Sequence, residues 1–339
     1  MGDHVAGSCQ VNFLYLFAGA LALAFLVTFF ATPIVMKISS DHGFVDRPND
    51  RKMHKVPVPY GGGIATFLGF LVASCCGYMI LQRLQPEMPA RDTLLFSAFV
   101  IGGFLSFIIG FIDDLISMPA KAKLLCQIVA VSIVMIFGVA LTFVTNPFGE
   151  GLIYFPLWVS IPITIFWIVG IMNAVNLLDG LDGLLGGVSA ISSVVFVAVA
   201  FMKGQILVAL VMAALAGACL GFLKYNFNPA KIFMGDTGSL FIGMIFGIGS
   251  IMGGFKTTTT LAFIIPFLIM GLPIIDTTWA IIRRVSNRQP IFKPDKGHIH
   301  HRLLGLGLTQ KQAVLIIYGI NVVLGLTALA ICYFTSLGG

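Results

Sequence analysis

Ten times along this chain the sequence stays apolar for close to the length of a bilayer crossing, which takes about 20 mostly apolar residues in a helix. The runs are 11–36, 62–81, 93–112, 124–144, 157–175, 186–201, 205–223, 238–252, 260–282 and 313–335. Backbone in hydrocarbon must satisfy its own hydrogen bonds, so runs of this kind fold as helices. The spacing therefore predicts an all-α fold, a polytopic membrane bundle of about ten transmembrane helices with residues 1–339 as a single domain. Charged residues make up 10% of the chain, against about 25% in soluble domains. The first run is longer than the apolar core of a cleaved leader, about 7–15 residues, and no Lys or Arg precedes it, so it reads as the first membrane helix.

The net charge of +6 does not point to nucleic acid. That function needs a basic patch on a folded face, with groups that stack on or read bases. Here the loops after the first, third, fifth, seventh and ninth runs carry 16 of the 20 Lys and Arg. The positive-inside rule puts those loops in the cytoplasm and, with ten spans, both termini outside. The six cysteines form no C-x-x-C pair and lie mostly in apolar runs, which argues for neither a metal site nor a disulfide framework.

The polar motifs all fall in the same loops. Of 14 acidic residues, Asp113, Asp114, Asp179, Asp182 and Asp236 sit at the predicted cytoplasmic ends of apolar runs. Any one of them reads adequately as a helix cap. Five in one set of loops point to function, because ionisable groups beside hydrocarbon are costly. In "FIDD", Asp113 and Asp114 are helical neighbours that point about 100° apart, so they take different partners. Lys121 and Lys123 follow; they neutralise phosphates, pair with the aspartates, or serve only as the topology signal.

"NAVNLLDGLDGLLGG" sets Asn173, Asn176, Asp179 and Asp182 at intervals of three, with Gly180 and Gly183 breaking the helix. Carboxylate and amide oxygens suit Mg²⁺, which takes few protein ligands and fills its shell with water and phosphate. A C-cap followed by an N-cap explains one Asn and one Asp, not four such residues. "FMGDTGS" places Asp236 just before an apolar run, as a cap or as a metal ligand where a helix dipole also favours phosphate. Phe233 lies three residues upstream, an interfacial aromatic or a surface for a base. "HIHHR" holds His298, His300, His301 and Arg302, a set suited to a diphosphate; no Cys accompanies them, which weakens zinc. Asp276, late in the ninth run, reads as structural or as supporting the site from behind its contact residues, with a nearby Arg as its candidate partner.

Together these groups describe transfer of a phosphoryl-linked unit between a water-soluble donor and a lipid acceptor. A transporter would place polar groups near mid-bilayer. An intramembrane aspartyl protease leaves the Lys and His unexplained, and the one-segment Asp/Gly/Ala/Arg pattern of a CDP-alcohol phosphatidyltransferase is absent.

"DDLISMPAKAKLLCQ", "NAVNLLDGLDGLLGG", "FMGDTGSL" and "HIHHRL" resemble the polyprenyl-phosphate N-acetylhexosamine-1-phosphate transferase family, and the likeness runs from "DRPNDRKMHKVPVPYGGG" to the last helix. "HIHHRL" is similar to the N-acetylglucosamine branch; the pentapeptide-transferase branch carries three consecutive His followed by an aromatic and an acidic residue. The resemblance implies a bacterial cytoplasmic membrane enzyme that moves N-acetylglucosamine 1-phosphate, or a related sugar phosphate, from its UDP donor to undecaprenyl phosphate. UMP is released, and the step is the first membrane step of an envelope glycan such as teichoic acid or O-antigen. It implies Mg²⁺, with Mn²⁺ as the alternative ion, and a homodimer. It carries metal and diphosphate contact to Asp236 and Asn176, and acceptor activation to Asp113 with Asp114 alongside. Uridine contact goes to Asp182, Asn226 and Phe233, and the sugar and phosphates to His298, His300, His301 and Arg302. Asp179, Lys55, Lys121 and Lys123 complete the substrate-facing set implied.

Overall fold

The computed structural model describes residues 2–46, 57–145, 151–252, 264–286 and 299–337. The elements run α1 (Gly2–Asp41), β1 (Val45–Asp46), β2 (Val58–Pro59), α2 (Gly62–Leu84), α3 (Ala90–Ile116), α4 (Ala120–Ile136), β3 (Phe143–Thr145) and β4 (Leu152–Tyr154). Then come α5 (Leu157–Leu177), α6 (Leu184–Met202), α7 (Ile206–Asn226), α8 (Gly235–Met252), α9 (Ile264–Ile269), α10 (Gly271–Ser286), α11 (Ile299–Gly305) and α12 (Gln310–Leu337). Among the described residues, eight helices are long and apolar enough to cross a membrane: α1, α2, α3, α5, α6, α7, α8 and α12. This is the expected all-α polytopic bundle; the strands among the described residues pair as two antiparallel hairpins, β1–β2 and β3–β4.

Two of the ten runs fold differently from the expectation. The fourth, read as one helix over 124–144, is helical only to Ile136; Gly138 takes a left-handed φ of 88°, and the chain turns into β3. The ninth is broken between α9 and α10. Pro273 has no N–H to give the carbonyl four residues back, that of Ile269. Ser192 of α6 supplies the missing donor, its hydroxyl lying 3.0 Å from that oxygen. A broken helix at membrane depth survives where neighbours satisfy the freed groups in this way.

Lipid is as apolar as leucine, so helices in a bilayer hold together through close packing and polar contacts rather than hydrophobic exclusion. α7 and α8, the most buried spans, show the consequence. A Cβ on Gly217 of α7 would lie 2.0 Å from the Leu21 carbonyl oxygen of α1, and one on Gly221 would lie 2.6 Å from that of Phe25. Only glycine at this four-residue spacing lets the two backbones touch. On its other side α8 meets α5, where Gly243 faces the backbone of Met172.

Successive long helices alternate in direction, so the ends of α1, α3, α5, α7 and α10 and the starts of α2, α4, α6, α8 and α12 gather at one end of the bundle. The β1–β2 hairpin lies there too. It is tied to the segment before α8 by Phe233 N–H donating to Pro59 O (2.9 Å) and Gly62 N–H to Phe233 O (2.9 Å).

Candidate active site

α8 begins at Gly235 with a φ of 73°, a conformation that L side chains rarely adopt. Its first turn is capped from another helix. Asp114, in the last turn of α3, accepts the backbone N–H of Asp236 (2.8 Å), the backbone N–H of Thr237 (2.9 Å) and the Thr237 hydroxyl (2.5 Å). A Cβ on Gly235 would come within 2.5 Å of Asp114 Oδ2, so glycine is required there both for backbone shape and for room.

This capping leaves the Asp236 carboxylate free to turn inward, where it meets Lys123. The Lys123 ammonium, on α4, pairs with Asp236 Oδ2, with Asp113 Oδ2 at 2.8 Å and with Asn176 Oδ1 at 3.3 Å. Four helices thus contribute one side chain each to a single point. The oxygens are themselves fixed: Asp113 Oδ1 accepts Met118 N–H (2.6 Å), and the Asn176 amide donates to Asp236 Oδ1 (2.6 Å) and Ser239 Oγ (2.8 Å). The side chains of Lys123 and Asp113 are 14% and 10% exposed, so water screens the pair weakly.

Further along the same wall, Asp179 Oδ2 accepts Gly235 N–H at 3.2 Å. Burial, and then the negative charges of Asp236 and Asp114, push its carboxyl up to about 8. Asp182 accepts the Asn228 amide and Ala230 N–H, each at 3.0 Å. Asn226 is buried and ties two loops together, accepting Gly183 N–H and donating to Ile232 O, each at 2.9 Å. Opposite stand two aromatic rings, Tyr60 and Phe233, with centroids 6.0 Å apart and planes tilted by 58°. Burial, reinforced by Asp46 and the nearby aspartates, holds the Tyr60 hydroxyl above its usual range, so it stays neutral.

The histidines arrive on α11. Asp276 of α10 accepts Ile299 N–H at 2.9 Å and so anchors that helix's first turn, in keeping with its structural reading. His300 is buried and packs against Gly180, where a Cβ would lie 2.7 Å from its Nε2. His301 lies beside it, with ring centroids 4.3 Å apart and planes tilted by 46°, and faces the cavity.

These groups enclose one cavity of about 1020 Å³. Asp113, Asp114, Asn176, Asp179, Asp182, Asn226, Phe233, Asp236 and His301 line it. So do Asp46, Tyr60, Asn228 and Gln310, which the sequence reading did not single out. Its volume suits a nucleotide-sized ligand.

The sequence profile of glycosyl transferase family 4 matches residues 96–254, a stretch that contains both Asp113 and Asp236. Across 313 residues the chain is 39% identical to the probable undecaprenyl-phosphate N-acetylglucosaminyl 1-phosphate transferase of Bacillus subtilis (strain 168), covering 92% of this chain and 84% of that protein. The chain belongs to glycosyl transferase family 4. It is also similar to the decaprenyl-phosphate N-acetylglucosaminephosphotransferase of Mycobacterium tuberculosis (strain ATCC 25618 / H37Rv), at 36% identity over 87% of this chain and 77% of the other. The phospho-N-acetylmuramoyl-pentapeptide-transferase of Listeria monocytogenes serotype 4b (strain F2365) is 33% identical over 95% of this chain and 99% of its own length.

Not every residue expected at this family 4 site reaches the cavity. Lys123 lies behind the lining and touches the cavity only through its partners Asp113, Asn176 and Asp236, His300 is buried behind Gly180, and Lys121 is exposed on α4; none of the three is a lining residue. Arg302 sits on another face of α11, in a separate, mostly apolar slot of about 300 Å³ between α10 and α12. Helical rotation by about 100° per residue explains why His301 and Arg302 part company. His298 and Lys55 lie outside the described residues.

The cluster also fits the divalent ion that the family implies. Hard oxygens of Asp113, Asn176 and Asp236 already converge on a cation, the Lys123 ammonium. Among the described residues no three His, Cys, Asp or Glu side chains are grouped so as to hold a metal ion by themselves. Mg²⁺ needs no such group, since it binds through one or two carboxylates plus phosphate and water.

Proposed function

We propose that this family 4 protein transfers N-acetylglucosamine 1-phosphate from UDP-N-acetylglucosamine to undecaprenyl phosphate and releases UMP, with Mg²⁺ as cofactor. The observation that carries the reading is the convergence of Asp113, Asn176 and Asp236 on Lys123 inside a large cavity at one end of a membrane bundle. The B. subtilis relative's name supports both the sugar phosphate and the polyprenyl acceptor. The basic loops of the sequence support a cytoplasmic cavity and outward termini.

In the reaction an acceptor phosphate oxygen bonds to the phosphorus that bears the sugar. The bond from that phosphorus to the oxygen bridging toward uridine breaks, and UMP leaves with the electron pair. Such transfers need in-line positioning and charge neutralisation more than covalent chemistry by the protein. Asp236 and Asn176 would hold Mg²⁺, which when bound neutralises charge on the diphosphate. Lys123 adds positive charge beside them. Phe233 and Tyr60 give the base an aromatic corner, with Asp182 and Asn226 shaping the uridine end, and His301 faces the sugar and phosphates with His300 packed behind it against Gly180. A phosphomonoester has its second pKa near 6 and is largely dianionic at neutral pH. Asp113 therefore orients the acceptor and has no need to deprotonate it.

The test is transfer of label from UDP-N-acetylglucosamine to an organic-extractable product, using purified protein, undecaprenyl phosphate and either Mg²⁺ or EDTA. Lipid-linked label that requires Mg²⁺ and falls at least about 100-fold in Asp236→Ala is expected. Label only from a UDP-N-acetylmuramoyl-pentapeptide donor would overturn the choice of sugar. Inhibition by CMP rather than UMP would overturn the reaction.

A further inference from the structure

Asn173 belongs to the same three-residue series as Asn176, Asp179 and Asp182, yet it does not line the cavity. Its partner is Gln127, a residue that is 0% exposed in the otherwise apolar inner face of α4. The two amides bond reciprocally: Asn173 Nδ2 donates to Gln127 Oε1 at 2.8 Å, and Gln127 Nε2 donates to Asn173 Oδ1 at 3.5 Å. Asn173 Nδ2 also donates to Val169 O at 2.8 Å, which fixes that side chain to its own helix.

Gln127 lies four residues beyond Lys123, and Asn173 three residues before Asn176. α4 and α5 run in opposite directions, so the amide pair is a second rung one helical turn deeper than the contact between Lys123 and Asn176. We infer that Gln127 and Asn173 are a positioning pair that sets the register of α4 against α5 and thereby holds Lys123 on Asp113, Asn176 and Asp236. The inference rests on the reading of that cluster as the active site.

α4 needs such a device. It has 17 residues and exposes Leu125, Val129 and Ile136 on its outer face. Its inner apolar contacts, through Ala130, Val131 and Val134, differ little from contacts with lipid. Apolar packing therefore tolerates a slide or a small rotation of α4. The amides do not, because either movement strands two polar groups in hydrocarbon. A single buried polar residue fixes register in coiled coils for the same reason. The cavity end supplies no substitute, since the pairing of Lys123 with three oxygens depends on α4 already being at the right depth.

The experiment is trace acetylation of the full-length protein in detergent, reading Lys123 against Lys121, which is exposed on the same helix and serves as the internal standard. In Gln127→Leu the Lys123-to-Lys121 ratio is expected to rise about tenfold, because an amine no longer clasped by Asp113, Asn176 and Asp236 is open to the reagent. Turnover of the UDP-sugar is expected to fall about 10- to 100-fold, the usual effect of an ångström-scale misplacement. The exchanged pair Q127N/N173Q, which keeps both amides and their summed reach, is expected to restore the protection of Lys123. If Gln127→Leu does not fold, Gln127→Met takes its place. An unchanged ratio in the single variant overturns the inference. So does an equal rise in the exchanged pair, which would make the effect one of packing and not of pairing. If the unmodified enzyme transfers no label, the proposed reaction fails while the acetylation ratio still decides this inference.

Discussion

Asp113 and Asp114 are adjacent and do different work. Asp114 spends both oxygens on the first turn of α8, while Asp113 turns toward Lys123. Asp113→Asn retains an oxygen for Met118 N–H and loses the ion pair. It is expected to fold and to turn over about 10- to 100-fold more slowly, the scale of a disturbed positioning group. A complete loss of turnover in folded protein would assign Asp113 a chemical step. Asp114→Ala strips three accepted hydrogen bonds from a helix start, so a loss of about 2–4 kcal/mol is expected in thermal unfolding. Gly180→Ala separates function from stability. The added methyl meets only the tip of the His300 imidazole, which can swing aside cheaply. Activity is expected to fall about tenfold, with the melting temperature shifting by less than about 1.5 °C, under about 1 kcal/mol at this size. A large drop in melting temperature would show that His300 cannot move.

At the scale of elements, hydropathy located the helices and failed where a run contains more than one. The run 124–144 carries no charge, yet a left-handed glycine and a short strand divide it. An apolar hairpin strand and the last turns of a membrane-spanning helix have the same composition, so no count of apolar residues separates them. The break at the ninth run sits at Pro273, which the hydropathy reading passed over, and its tolerance depends on Ser192, which belongs to another helix. Ser192→Ala leaves the Ile269 carbonyl without that donor, at an expected cost of about 1–3 kcal/mol. α10 carries the aspartate that anchors α11. Lower thermal stability accompanied by weakened activity would therefore connect the helix break to the histidines. Unchanged stability would mean that the carbonyl finds another partner.

At the scale of the molecule, the site was legible as a place before it was legible as a geometry. Motif chemistry and loop charge brought Asp113, Asn176 and Asp236 to one end of the bundle, because alternate loops of a helical hairpin stack must share a side. Which oxygen each donor would take was not legible: the cap on α8 comes from α3 and the cation from α4, and such pairings exist only once helices pack. Tyr60 and Gln310 were missed for the same reason, since neither carries a local signal. The two ends of the bundle now give the topology a direct test. Asp41, exposed at the end of α1, marks the cavity end, and Tyr154, 70% exposed on β4, marks the other. In a background with the native cysteines replaced, a membrane-impermeant maleimide should label Tyr154→Cys in intact spheroplasts and Asp41→Cys only in inverted vesicles. UDP-sugars are made in the cytoplasm and do not cross the bilayer unaided, so the opposite pattern would place the cavity away from its donor. The proposed reaction would then fail even with every side chain in position.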